Sequence, residues 1–268
     1  GLMNLLWLLI TRGLVGAAAL IILFVWFNNG CLKTTRYKIE LEGAPKNIRI
    51  VHLSDLHGKS FSRGNVRLIK KVEKAKPDFI AITGDIIHKY RQRDKEVALS
   101  LVASLKELAS VIYCSGNHEM RGIRYRFLRK SLKEAGATVL DDCSTQISGV
   151  CVTGLNCASL KNDTIFKITP KSDIKILLAH EPQYFEKYAE AGYDLVMCGH
   201  AHGGQWRIPF TKRGLYAPGQ GFMPKYTQGV HKKGKKHMIV SRGLGNSRFP
   251  LRLFNRPEVV IIDISVKN

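Results

Sequence analysis

Seven side chains of types that bind divalent cations fall in five short motifs spread over almost 150 positions. The motifs are Ser54-Asp55-Leu56-His57, Gly84-Asp85, Gly116-Asn117-His118-Glu119, the lone His180, and Gly199-His200-Ala201-His202. A set that mixes carboxylate or amide oxygen with imidazole nitrogen suits manganese, iron or zinc better than magnesium or calcium. Such a centre would supply Lewis-acid chemistry and an activated water. Singly the motifs say little, because a Gly-Asp pair is usually a turn and a lone histidine is usually a core or surface residue. As an ordered set they point to a metal site, against the alternative in which the histidines merely cap strands.

Each motif follows a short apolar run: Ile48–Leu53, Phe79–Thr83, Val111–Cys114, Ile174–Ala179 and Leu195–Cys198. These runs are too short for helices and apolar on both faces, as interior strands are. In open α/β sheets the crevice beyond the carboxyl ends of the strands receives the ligand, so the five motifs are expected to converge. The i, i+2 spacing of Asp55/His57 and of His200/His202 points each pair one way if the backbone is extended. Glycines beside the ligands permit tight turns and close backbone approach.

Covering helices are expected over Asn65–Lys76, with Val66, Ile69 and Val72 on one face, and over Asp94–Ala109, with Val97, Leu101, Leu105 and Leu108. The fold class is therefore α/β. Gln146–Gly154 and Val259–Ile264 read as strands outside the βα alternation, hinting at a second sheet. The Gly-rich stretch from Gly199 to Gly245 carries many turn signals and reads mostly as loop.

D-x-H, G-D, G-N-H-E, a lone His and G-H-x-H, in that order, resemble the calcineurin-like metallophosphoesterase family from about Ile48 onward. The stretches GHAHGGQWRIPF, YAPGQGFMPKYTQG and SRGLGNSRFP resemble a bacterial subgroup that is often preceded by a membrane segment or export signal. The resemblance implies a four-layer α/β/β/α sandwich and two divalent cations, with manganese favoured over iron and zinc. It assigns Asp55, His57 and His202 to one cation and Asn117, His180 and His200 to the other, with Asp85 bridging. His118, beside Asn117, would stabilise or protonate the leaving oxygen, and Glu119 would orient His118 or pair with arginines. One departure is Gly58-Lys59-Ser60 after the first motif, where many relatives keep another turn.

The 268 residues carry a formal net charge of +21 and are 45% hydrophobic, enough for one sizeable core and a surface that attracts polyanions. Six cysteines, Cys31, Cys114, Cys143, Cys151, Cys157 and Cys198, show neither C-x-x-C pairs nor framework spacing and read as free thiols, with Cys114 and Cys198 in the core.

From Leu5 to Phe27 the chain is apolar except at Thr11 and Arg12, with its cleanest stretch from Gly13 to Phe27. The expected organisation is a membrane anchor and linker over 1–36 and a catalytic domain over 37–268. A buried core helix is the rival, disfavoured because the run lacks a polar face. A cleaved signal peptide lacks an A-x-A-like site. Gly30-Cys31 resembles the end of a lipoprotein signal, but Asn28 and Asn29 stand where small or apolar residues are wanted. Lys33, Arg36, Lys38 and Lys46 after the segment outnumber Arg12 before it, which favours a single-pass protein of the cell membrane with a cytoplasmic catalytic domain.

Two basic clusters bear on partners. Arg121–Gly136 reads as an amphipathic helix carrying Arg121, Arg124, Arg126, Arg129, Lys130 and Lys133, and His231–Lys236 reads as a basic hairpin tip. Both suit anionic lipid headgroups, although a solvated face is the plain alternative for each. The expected substrate is a membrane-borne phospholipid or nucleotide-linked lipid. The resembled subgroup includes enzymes acting on the pyrophosphate of UDP-diacylglucosamine. Nuclease or cyclic-nucleotide phosphodiesterase activity is the enzymatic alternative, but nucleic acid is not an expected partner, since no groove of interleaved aromatics is evident. A metal-stabilised membrane scaffold is the non-enzymatic one.

Overall fold

Every run read as an interior strand is apolar on both faces, and each face has its own partner layer. The computed structural model describes residues 1–120, 123–211, 213–246 and 249–267. The chain runs through α1 (Leu2–Gly30), β1 (Lys33–Glu42), β2 (Ile48–Leu53), α2 (Val66–Ala75), β3 (Phe79–Thr83), α3 (Gln92–Leu105), β4 (Ser110–Cys114), α4 (Tyr125–Glu134) and β5 (Ala137–Val139). It continues with β6 (Cys143–Ile147), β7 (Val150–Gly154), α5 (Thr164–Ile168), β8 (Lys175–Leu178), α6 (Phe185–Glu190) and β9 (Leu195–Cys198). The last elements are β10 (Tyr216–Ala217), β11 (Gly221–Phe222), β12 (Gly229–Lys233), β13 (Lys236–Val240) and β14 (Glu258–Lys267).

Two six-stranded sheets form, in the orders β1-β14-β2-β3-β4-β5 and β12-β13-β9-β8-β7-β6. Because side chains alternate along a strand, Ile50, Phe79, Ala81 and Ile112 face Val152, Ile176, Leu178 and Met197 of the other sheet in one inner core. Their neighbours Val51, Ile80, Ile82 and Val111 turn outward onto Leu68 and Val72 of α2, Leu101 and Leu105 of α3 and Leu128 of α4. On the far side of the second sheet, Leu177, Val196 and Met238 pack under Phe185 and Tyr188. The result is the expected α/β/β/α sandwich.

Several sequence readings shift. The strands at the motifs belong to both sheets: β2, β3 and β4 run parallel in the first, β8 and β9 in the second. The strand over Val259–Ile264, expected in a second sheet, is β14 and lies in the first, parallel to β1 and antiparallel to β2. Gln146–Gly154 is not one strand but the end of a hairpin, because Ser148 and Gly149 take φ 53° and 83° and reverse the chain. The stretch to Gly245 contains β12 and β13, the latter parallel to β9. On α2 the buried face is Leu68, Val72 and Ala75, while Val66 is exposed. Val66 opens that helix, a position outside the packed stripe. Cys114 and Cys198 are buried in the core, and all six thiols are free.

Helix α1 is longer than the apolar run suggested. Its 29 residues span about 43 Å at 1.5 Å each, more than the ~30 Å of a bilayer's hydrocarbon. It is long and apolar enough to cross a membrane, and none of its most apolar window is buried, so it is not a core helix. A signal sequence passes the same test. The chain is already in sheet pairing at Lys33, so residues 33–36, expected to be linker, are strand.

Candidate metal centre

The parallel strands of both sheets end at one edge, and the five motifs meet there. Asp55, His57 and His202 place ligand atoms within 4.8 Å of one another, as do Asp85, His180 and His200. His202 Nε2 lies 3.3 Å from Asp55 Oδ1 and 3.1 Å from His57 Nε2. In the second group His180 Nε2 lies 3.3 Å from Asp85 Oδ2, 3.2 Å from Asn117 Oδ1 and 3.1 Å from His200 Nδ1. Asp85 Oδ2 is also 3.7 Å from His57 Nε2, so one carboxylate reaches both groups.

The i, i+2 pairs do not work through extended backbone. Asp55, His57, Asp85, His200 and His202 all have positive φ, between 47° and 65°, a region that costs about 1 kcal/mol or more per ordinary residue. The turn sends His200 to one group and His202 to the other. Glycine makes the crossings possible. A Cβ on Gly84 would meet the Gly116 backbone at 2.3 Å, and one on Gly199 would meet Ser54 Oγ at 1.8 Å.

Backbone bonds fix the ligand atoms. His180 Nδ1 bonds the Thr83 carbonyl at 2.7 Å, which leaves Nε2 as the atom facing the cluster. The His200 amide donates to Asp55 at 3.0 Å. Glu119, fully buried, accepts from the amides of Asp85 and Gly116 at 2.8 and 2.7 Å and of Ile87 at 3.3 Å. It clamps the β3 and β4 loops together through backbone amides. Burial, aided by the Asp85 charge, raises its carboxyl to about 7 against the pull of those amides.

Burial holds His57 and His202 well below the ordinary imidazole value and His200 at about 4. All three therefore present the neutral form that coordinates cations. At His180 burial also opposes charge, but the Asp85 and Asp55 carboxylates outweigh it and lift the ring to about 10. Imidazole nitrogens thus face each other and carboxylates at hydrogen-bond distance with few protons to share. A donor set of this kind fits divalent cations.

His118 stands at the mouth. Its amide donates to Asp85 Oδ1 at 2.8 Å, its Nδ1 bonds the His88 carbonyl at 2.7 Å, and its Nε2 lies 3.9 Å from Asp85 Oδ2. His88 joins His57 and His118 in a third group of close imidazoles. Its place three residues after Asp85 was the only signal for it. Arg252 and Asn255 also escaped the sequence reading. The buried Arg252 guanidinium bonds the Gly245 and Arg242 carbonyls, and Asn255 Nδ2 bonds the His202 carbonyl at 2.6 Å.

Asp85, Asn117, His118, His200 and His202 floor a cleft of about 590 Å³ whose wall includes Trp206, Leu215, Tyr216, Phe222 and Phe249. Residues 48–204 match the family model for calcineurin-like phosphoesterases. The chain belongs to the calcineurin-like metallophosphoesterase family. It is 30% identical over 234 residues to the phosphodiesterase YaeI of Escherichia coli, covering 81% of this chain and 82% of that one. The metallophosphoesterase YkuE of Bacillus subtilis is 27% identical over 252 residues, covering 88% and 87%. A metallophosphoesterase of Aquifex aeolicus is 29% identical over 265 residues, covering 88% and 93%. The protein is therefore a metal-dependent hydrolase of phosphoesters, in a family that uses a dinuclear divalent centre.

Three lysines of the basic hairpin are paired with carboxylates. Lys233 pairs with Glu186 at 2.6 Å, Lys235 with Glu42 at 2.8 Å and Lys236 with Asp194 at 2.7 Å. On α4, Arg129 is bonded to Asp141 at 2.6 Å, and Arg121 lies outside the described residues.

Proposed function

We propose that this phosphoesterase cleaves a phosphodiester or pyrophosphate bond in a membrane-borne lipid, either a phospholipid or a UDP-linked lipid such as UDP-diacylglucosamine. Asp55, His57 and His202 would hold one cation and Asn117, His180 and His200 the other, with Asp85 contributing to both; this oxygen and nitrogen set suits manganese, iron or zinc, of which manganese is our choice. Bound there, the cations supply Lewis acidity to the phosphoryl group and ease ionisation of the attacking water.

The chain's own part is positioning and proton transfer. The His88 carbonyl accepts the Nδ1 proton of His118 and so turns Nε2 toward the reacting phosphate, where the doubly protonated ring donates its Nε2 proton to the leaving oxygen. Helix α1 acts as a single-pass anchor of the cell membrane, and the excess of Lys33, Arg36, Lys38 and Lys46 over Arg12 favours a catalytic domain on the cytoplasmic side. The observation that carries the lipid reading is the cleft itself, which joins a floor of cation ligands to a wall of exposed aromatic rings.

The test is a screen of manganese-loaded full chain against phospholipids, UDP-linked lipids, cyclic nucleotides and simple diesters, with Asp85→Ala as control. Turnover confined to lipid substrates supports the reading. Preference for cyclic nucleotides or oligonucleotides would replace it.

A further inference from the structure

Among the described residues, helix α1 meets the globular fold through its last turns, where it touches Lys59 and the segment that also walls the cleft. Phe24 packs on Phe254 with ring centroids 5.0 Å apart, and the Arg256 guanidinium sits 4.4 Å over the Phe27 ring. The Arg252 amide donates to Asn29 Oδ1 at 2.8 Å and the Asn255 amide to Asn28 Oδ1 at 3.2 Å. Asn28 and Asn29, out of place in a lipoprotein signal, are the helix's polar seat on the domain.

The same segment continues directly into the cleft wall. Leu253 pairs with Trp206 in a β-bridge, Trp206 Nε1 donates to the Leu251 carbonyl at 3.1 Å, and the Trp206 and Phe249 rings lie 5.7 Å apart. Across the cleft Tyr216 and Phe222 are paired at 5.5 Å. These rings are open to solvent, with Phe222 83%, Phe249 59% and Phe254 50% exposed. An apolar rim of this kind beside a polar floor marks an interaction surface.

A helix that crosses a bilayer and ends at Gly30 puts the water interface near its last turns. Rings a few residues away from Phe24 and Phe27 then lie at headgroup depth, where tryptophan and other amphipathic rings are stable and apolar faces sink ~5–10 Å. We infer that the aromatic rim formed by Trp206, Tyr216, Phe222, Phe249 and Phe254 docks on the bilayer that receives α1. The cleft therefore takes its phosphate from the membrane surface while the acyl chains of the substrate stay against the rim. The inference rests on the proposal that α1 spans a membrane. It goes further in naming the surface that faces the lipid and the direction from which substrate enters.

Trp206 is the natural reporter, because the other two tryptophans, Trp7 and Trp26, lie in α1. The full chain carrying Trp7→Phe and Trp26→Phe is placed in anionic phospholipid vesicles. Lipid brominated at the headgroup end of its chains should quench Trp206 fluorescence and shield it from aqueous iodide. Emission untouched by bromine and open to iodide overturns the docking. Emission closed to both also overturns it, by placing protein rather than lipid on the rim.

A kinetic arm uses Phe222→Ser. Phe222, exposed in the protein, would bury its ring in lipid on docking, so the ratio of turnover on vesicle-borne lipid to turnover on a soluble diester should fall about tenfold or more. An unchanged ratio counts against the rim. Quenching needs no turnover, so it still reads docking if the substrate turns out to be no lipid.

Discussion

The floor and the wall of the cleft are built by opposite rules. On the floor, Asp55, His57, Asp85, His200 and His202 are buried and held at positive φ, and Asp55 and Asp85 accept hydrogen bonds from the amides of His200 and His118. On the wall, Tyr216 and Phe222 of the short β10–β11 pair and Phe249 of a loop are exposed and held by ring contacts. The floor is over-determined, so that a change of one atom is felt by several neighbours. The wall asks only for apolar surface, so it tolerates a change of shape but not of polarity. Strained backbone at the cation ligands is what a preorganised centre requires.

The largest expected effect lies at the residue shared by both groups. Asp85→Ala should lower kcat about a thousandfold or more, because cation-based charge stabilisation is worth several kcal/mol. Metal analysis should show loss of at least one cation, and chelation of the native protein should match its activity. Retention of both cations with normal turnover would separate Asp85 from the floor.

Next comes the support beneath the floor. Glu258 Oε1 lies 3.0 Å from Arg242 Nη2, and both side chains are buried. The segment they fix runs against Asp55, with the Gly245 amide donating to the Asp55 carbonyl at 2.6 Å. Breaking such a pair by removing one member costs about 3–5 kcal/mol. Glu258→Ala should therefore lower the unfolding free energy by that order in denaturant titrations. Burial alone would raise the Glu258 carboxyl, but Arg242 and the bond from Thr35 hold it below 4.5. With the folded value depressed, its contribution is complete above about 4.5 and is lost as pH falls through the folded value. The gap between native and variant should narrow in acid, and a gap that widens there would contradict the pairing.

The same contrast explains what could be read from sequence. Cation chemistry admits few residue types, so Asp55, His57, Asp85, Asn117, His180, His200 and His202 stood out, and short two-faced apolar runs located the strands behind them. The assignment of strands to sheets was not legible, since β14 and β7 have the same local pattern and differ only in long-range pairing. The turns were misread for a related reason. Spacing alone suggests extended backbone at His200/His202, whereas contacts with Asp55 and His180 from distant strands impose φ of 65° and 47°. Phe222 and Phe249 lie within stretches that carry the family resemblance, but their residue type does not mark them as exposed, because aromatic residues are usually core. Arg252 could not be singled out among 42 basic residues.

At the boundary between floor and wall stands His118, largely buried and bound to both Asp85 and the His88 carbonyl. His118→Ala should lower kcat by about 10²–10³-fold, the usual worth of a positioned acid, while both cations remain. Loss of metal together with activity would move His118 into the coordinating set. Because its part is proton donation, the deficit should be smallest on substrates with good leaving groups such as p-nitrophenolate.

The smallest effect belongs to the wall, and it should depend on the substrate rather than on the bond cleaved. Each methylene removed from water is worth up to ~0.8 kcal/mol, and a half-open groove returns only part of that. Along a series of soluble diesters with lengthening acyl chains, kcat/KM should rise by about two- to threefold per added methylene until the groove is filled. With Phe249→Ser the slope should flatten, while the value for the shortest diester changes little, because the floor is untouched. A parallel downward shift of the whole series, with the slope kept, would mean that Phe249 serves the floor through its carbonyl contact with Gln205 and that the two regions are less independent than their construction suggests.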